Sequence, residues 1–311
     1  MGALEAASKY EILYDLPEGE VDPKAIGGVR TKTVRAGDTL EVEAYPLISV
    51  TAPAKEECRR RRSSAAQVEL NRRNSEKRIR RLAETNFGGG DFVLHPTFDY
   101  HFEDYAFSNP KDRRAEWDKL GLPSDDTEAR KMFSNFISRV KRYIKRHGHD
   151  PKELKYLYVM EKTREPRDED VNALPAHYHF HVIMSSLDCL SVEKLNELWG
   201  HGYTRAEPVN MRFNGLKGFT KYISKRINGK NGRKVRFGHS KGNLAEPDIK
   251  VSDRRISRTR LAKVARDVMR DGKEILEKLY PGYRLEEVPV VRFSDFVPGA
   301  YIFARMRRIK Q

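Results

Sequence analysis

The sequence predicts an α+β fold, and three observations carry that expectation. Met132, Phe133, Phe136, Ile137, Val140 and Ile144 recur at helical spacing within Thr127–His147, an apolar stripe that needs a sheet to lie across. In AHYHFHVIMS, Ala176–Ser185, the residues Tyr178, Phe180 and Val182 alternate with His177, His179 and His181, the period of a half-buried strand. Leu154–Met160 is a second strand, closed by Glu161, and the charged, turn-rich TREPRDEDVNALP joins the two as a hairpin.

The elements follow in order. Residues 1–58 read as an N-terminal extension, an adaptor in which VRTKTVRAG and TLEVEAYPLI are short strands around the Gly37-Asp38 turn. Residues 59–85 carry a basic helix. Arg59, Arg60, Arg61, Arg62, Arg72, Arg73, Lys77, Arg78, Arg80 and Arg81 face only Glu69 and Glu76, a net of +8 within 23 residues. Ser64 and Gln67 fit a capping box for a helix from Ser64 to Glu84, and its apolar stripe is thin, Val68, Ile79 and Leu82. Charge of one sign at that density predicts phosphate contacts, which give affinity rather than sequence reading.

FVLHPTFDY is the next strand, and Pro96 makes it an edge, a bulged strand or one that breaks there. Beyond a polar loop comes the Thr127–His147 helix, stopped by Gly148, with Arg139, Lys141, Arg142, Lys145 and Arg146 on a solvated outer face. After the hairpin, a short helix runs from Ser191 to Trp199 and ends at Gly200; an extended piece covers Tyr203–Phe213. Gly215–Ile227 reads as a helix burying Leu216, Phe219, Ile223 and Ile227. Residues 231–311 form a C-terminal extension: a possible strand at Val235–Phe237, a helix over Ser257–Tyr280 weakened at Gly272, and a closing hairpin of VPVVRF and AYIFARM.

Composition narrows the function. Charged residues make up 34% of the 311, the net charge is +15 and the pI near 9.7, which point to a polyanion, nucleic acid before an anionic membrane. No apolar run nears the roughly 20 residues of a membrane span, and no signal peptide opens the chain. Cys58 and Cys189 are too few for a disulfide framework, so a reducing cytoplasm is expected. No Gly-x-x-x-x-Gly-Lys-Ser/Thr loop occurs, and with it no built-in NTPase.

Two stretches carry chemistry. A strand sends His177, His179 and His181 out on one face, where two imidazoles on a rigid backbone make a metal clamp with little entropy to lose. One histidine there would read as a wet or backbone-bonded side chain. Three of the chain's nine on one face read as a metal site, with His179 and His181 the favoured pair. On the Gly215–Ile227 helix, Gly218, Tyr222 and Lys225 fall on one stripe beside the apolar face. Taken alone, that stripe reads as a tyrosine at a core edge and a solvated lysine.

Together the stretches resemble the HUH endonucleases, specifically rolling-circle replication initiators (Rep) of bacterial plasmids and single-stranded DNA phages. The carrying residues are His179-Phe180-His181 before Val182-Ile183-Met184, and Tyr222-Ile223-Ser224-Lys225, within Asn86–Ile227. The resemblance implies a central antiparallel sheet with helices on one face, ferredoxin-like, in an endonuclease domain at 86–230, with the active site on the other face. It implies that Tyr222 attacks a phosphodiester of single-stranded DNA at a replication origin, giving a 5′-phosphotyrosine and a 3′ hydroxyl primer. Mn2+ or Mg2+ would be held by His179, His181 and Glu161, with His177 and His95 in reserve, while Lys225 would favour the phenolate or instead hold the scissile phosphate. Host helicase and polymerase would be partners in a bacterial cytoplasm. A water-using metal nuclease, a relaxase or transposase of the same fold, and a non-catalytic DNA-binding protein with a structural zinc are the alternatives.

Overall fold

Alternation and helical spacing become two antiparallel sheets with helices against them in the structure, a computed structural model. It describes residues 26–48, 65–99, 122–163, 177–209, 216, 237–293 and 300–309. The chain begins a first unit with β1 (Ile26–Ala36), β2 (Thr39–Ile48) and α1 (Ala65–Asn86). A second unit, Asn86–Ala245, then holds β3 (Phe92–Pro96), α2 (Asp126–Arg146), β4 (Tyr156–Lys162), β5 (Tyr178–Met184), α3 (Val192–Trp199), β6 (Thr204–Pro208) and β7 (Phe237–His239). The chain returns to the first unit with β8 (Asp248–Ser252), α4 (Arg258–Arg266), a π-helical turn (Val268–Gly272), α5 (Lys273–Leu279), β9 (Tyr283–Leu285), β10 (Val290–Phe293) and β11 (Ala300–Arg308). Among the described residues no helix is long and apolar enough to cross a membrane.

The second unit is a five-stranded sheet in the order β6-β3-β5-β4-β7, every pairing antiparallel. Its central strand, β5, pairs with β4 from Tyr156↔Met184 to Lys162↔Tyr178, the expected hairpin partner. Tyr178, Phe180, Val182 and Met184 all point to one face, where the stripe of α2 (Phe133, Phe136, Ile137, Val140, Ile144) and Trp199 of α3 cover them. Phe133 stacks on Phe180 with ring centroids 4.6 Å apart, and Phe136 meets Trp199 edge-on at 5.5 Å. Burying side chains of this size stabilises by roughly 1.5–3 kcal/mol each. Both described helices of this unit lie on this face; the opposite face carries the histidines together with the buried Leu157, Val159 and Ile183.

The helix ends follow from sequence as well. Asp125 caps α2 by accepting from the Thr127 and Glu128 N–H groups, and Ser191 caps α3 through the Lys194 N–H. Gly200 ends α3 in the left-handed conformation. Arg139 departs from the solvated face expected of it: its guanidinium donates to the Leu198 and Trp199 carbonyls at 2.7 Å, closing the open end of α3. β3 is an interior strand between β6 and β5, and of the three expectations for Pro96 the strand simply ends there.

The first unit is a six-stranded sheet, β10-β11-β2-β1-β8 with β9 also on β11. The Gly37-Asp38 turn joins β1 to β2 as expected, but the strands are long and build a core of their own where an adaptor was expected. Val42, Ala44, Ile302 and Ala304 face Leu261 and Val264 of α4 and Leu276 of α5. Glu41 and Glu43 alternate with them and so face the opposite side, toward α1. The single helix expected over Ser257–Tyr280 is interrupted: Asp267 caps the Arg270 N–H, and the buried Gly272 lies against Val264. The closing hairpin forms as β10 and β11, while β8 and β9 had no counterpart in the sequence reading.

Candidate metal centre

The histidine-bearing face of the second sheet is set by register. Glu161 of β4 is directly opposite His179 of β5, and Val159 opposite His181. Opposed residues in an antiparallel pair share a face with Cβ atoms about 5 Å apart. A slip of one residue would turn every histidine into the core, and Phe180 and Val182 beneath α2 forbid it. The result is convergence on one oxygen. Glu161 Oε2 is 2.8 Å from His179 Nε2 and 3.1 Å from His181 Nε2. The two rings stand nearly perpendicular, 82° apart with centroids at 5.0 Å, so their nitrogens aim at a common point from different directions. His181 is buried at 3% exposure; His179 and Glu161 are partly open, at 14% and 18%.

β3 supplies a third ring. His95 Nδ1 is 2.9 Å from His181 Nδ1, the rings edge to face. Two imidazole nitrogens that close require one to carry the proton and the other to accept it. Burial first, then the neighbouring His181, holds His95 down to about 4, so it is neutral at pH 7 and able to accept. His95 therefore braces His181. The sequence had offered it only as a reserve ligand, yet its period-2 alternation with Phe92 and Leu94 already put it on this face. His177, the other reserve, is held by Thr163: its N–H donates to Thr163 Oγ1 at 2.8 Å, and Nδ1 lies 3.1 Å from the same oxygen.

The frame around the site is backbone-tight. Trp199 Nε1 donates to the Thr97 carbonyl, and the Thr97 and Asp99 N–H groups donate to the Tyr203 and His201 carbonyls. Thr97 in turn bridges His179. Gly202, at φ +139°, sits where a Cβ would lie 2.3 Å from the Asp99 nitrogen, so only glycine lets this loop close on the strand exit.

Glu161, His179 and His181 present their ligand atoms within 4.8 Å of one another. His179 Nδ1 is buried with no hydrogen-bond partner among the described residues, so this ring works through Nε2. Two imidazoles and a carboxylate suit a divalent first-row cation. Tyr222 and Lys225 lie outside the described residues, as do Arg59, Arg60, Arg61, Arg62 and the Arg72 side chain. Of the remaining basic-helix residues, Arg80 and Arg81 pair with the buried Glu41, and Lys77 with Glu43. Arg73 and Arg78 are exposed.

Comparison with known proteins bears on this same region. Residues 119–227, roughly a third of the chain, match the family model described as replication-associated protein ORF2/G2P. No curated protein and no solved structure matches the chain. The matched span runs from just before α2 through both strands that carry the histidines and the glutamate, and it supports a DNA replication protein.

Proposed function

We propose that the chain initiates rolling-circle replication by nicking and rejoining single-stranded DNA at an origin through a tyrosine. The observation that carries this reading is the meeting of Glu161 with His179 and His181 on the sheet face opposite α2 and α3. The alternative of a closed, four-ligand structural zinc fits less well, since two of the three donors, His179 and Glu161, are partly open to solvent.

His179, His181 and Glu161 would hold Mn2+ or Mg2+, and His95 would fix the tautomer of His181 so that Nε2 keeps its lone pair for the ion. When bound, the ion supplies Lewis-acid polarisation of the scissile phosphate. Tyr222 is the proposed nucleophile. A phenol ordinarily has a pKa of about 10, and Lys225, three residues on in the sequence, would favour the phenolate. The phenolate oxygen forms a bond to phosphorus, the bond from phosphorus to the 3′ oxygen breaks, and that oxygen takes a proton to become the primer hydroxyl. Reversal of the step rejoins a strand. Arg73, Arg78 and the residues at 59–62 would contribute sequence-independent grip on the phosphates. Host helicase and polymerase would extend the primer in the bacterial cytoplasm.

The test mixes protein, Mn2+ and pooled single-stranded oligonucleotides labelled at the 3′ end, followed by a denaturing gel. Label should stay on the protein, and Tyr222→Phe, His179→Ala and His181→Ala should each abolish it. A Tyr222→Phe protein that still carries label would sink the nucleophile. Cleaved but unattached label would assign the chemistry to water.

A further inference from the structure

A cavity of about 420 Å³ opens in the first unit, within the size range of small-ligand sites. Its floor is the α4/α5 face of β1, where Thr31, Thr33 and Arg35 share one side of the strand, and β8 brings Lys250 and Ser252 opposite Thr33 and Thr31. The wall is Tyr280 and Tyr283, with the Arg255 guanidinium 5.2 Å from the centre of the Tyr280 ring. Three cations line this space, and none of the described residues lining it is acidic. Lys250 does meet Asp248, at 3.6 Å, but both are exposed and the pair is weakly held. The Thr31 hydroxyl is buried with no hydrogen-bond partner among the described residues, a cost that a polar ligand would offset.

From this set we infer that the cavity takes one nucleotide of a single-stranded DNA, its phosphate against Arg35, Lys250 and Arg255 and its base against the tyrosine rings. Cations with hydroxyls suit a phosphodiester, and ring stacking adds affinity without sequence preference. This is a site in the first unit, apart from the metal centre and from the basic helix. It rests on the reading of the chain as a protein of single-stranded DNA. It would give the protein a second hold on the strand that needs no metal.

The test measures binding of fluorescent dT20 by anisotropy in EDTA, on the full chain, across a salt series. Binding without metal keeps the result independent of nicking. Arg35 and Lys250 are exposed, so the double variant R35A/K250A should keep its melting temperature. Losing the hold on that one phosphate should lower the slope of log K against log salt by about 0.7, and affinity at 0.1 M salt by roughly 5-fold. R35K should keep the slope of the parent. An R35A/K250A protein with the parent slope and affinity would overturn the inference. A loss confined to dTMP, with dT20 unchanged, would also overturn it and assign the cavity to free nucleotides. If the parent binds no dT20 at all, it is the proposed function that fails.

Discussion

Replacing Glu41 by glutamine removes one charge from the interior of the first unit and leaves its shape. Glu41 is 1% exposed on β2, with Arg80 at 2.6 Å, Arg81 at 2.7 Å and Arg305 at 3.6 Å. Burial pushes its carboxyl up, but Arg81 and Arg80 outweigh it and hold the group down from 4.5 to about 2. The folded value lies below the unfolded one, so the stabilisation is fully present above pH 4.5 and is lost as pH falls toward 2. At 1.36 kcal/mol per unit the charge contributes on the order of 3 kcal/mol at pH 7. Glu41→Gln leaves Arg81 and Arg305 with less counter-charge, the situation in which breaking a buried pair is costly. For a unit of this size that loss is roughly 6–12 °C in melting temperature. Scanning calorimetry of both proteins from pH 7 to pH 2.5 reads it directly. The gap should be widest at pH 7 and narrow below pH 4.5. A gap under 2 °C at pH 7, or one that stays constant into acid, would refute the reasoning and return Arg80 and Arg81 to the set available for phosphates.

Two further outcomes follow from the second unit. His95→Ala removes the partner of His181 Nδ1 while leaving all three candidate ligands, so Mn2+ affinity read by titration calorimetry should weaken about 10- to 100-fold; unchanged affinity would remove His95 from the site. Gly202→Ala places a Cβ 2.3 Å from the Asp99 nitrogen and 2.7 Å from the Thr97 oxygen, and should cost at least about 2 kcal/mol in urea unfolding at unchanged m-value. A variant as stable as the parent would show that the loop closes some other way.

Much of the candidate site was legible because its strands obey a short period. Alternation in Tyr178–Met184 separated histidines from core, and a hairpin partner ending in Glu161 put an acid beside them. The stripe of α2 told which face would be covered. The first unit was harder. β8 is mostly exposed, so no alternation marks it, and β9 is three residues long. The run from Ser257 to Tyr280 has helical spacing throughout, and its break depends on how closely Gly272 approaches Val264, a tertiary distance.

Charge shows the division most clearly. By itself the sequence determined the excess of cations, their crowding into one helix, and three histidines on one strand face, since these are matters of composition and local period. Only the tertiary structure decided which cations meet carboxylates: Arg80 and Arg81 are taken up by Glu41, about 40 residues away in sequence, and Arg305 by Glu84 and Glu286. It also decided that His95, 86 residues from His181, braces it. Pairing across such separations is fixed by strand register and by which face each helix covers, and neither is written in any local stretch of the chain.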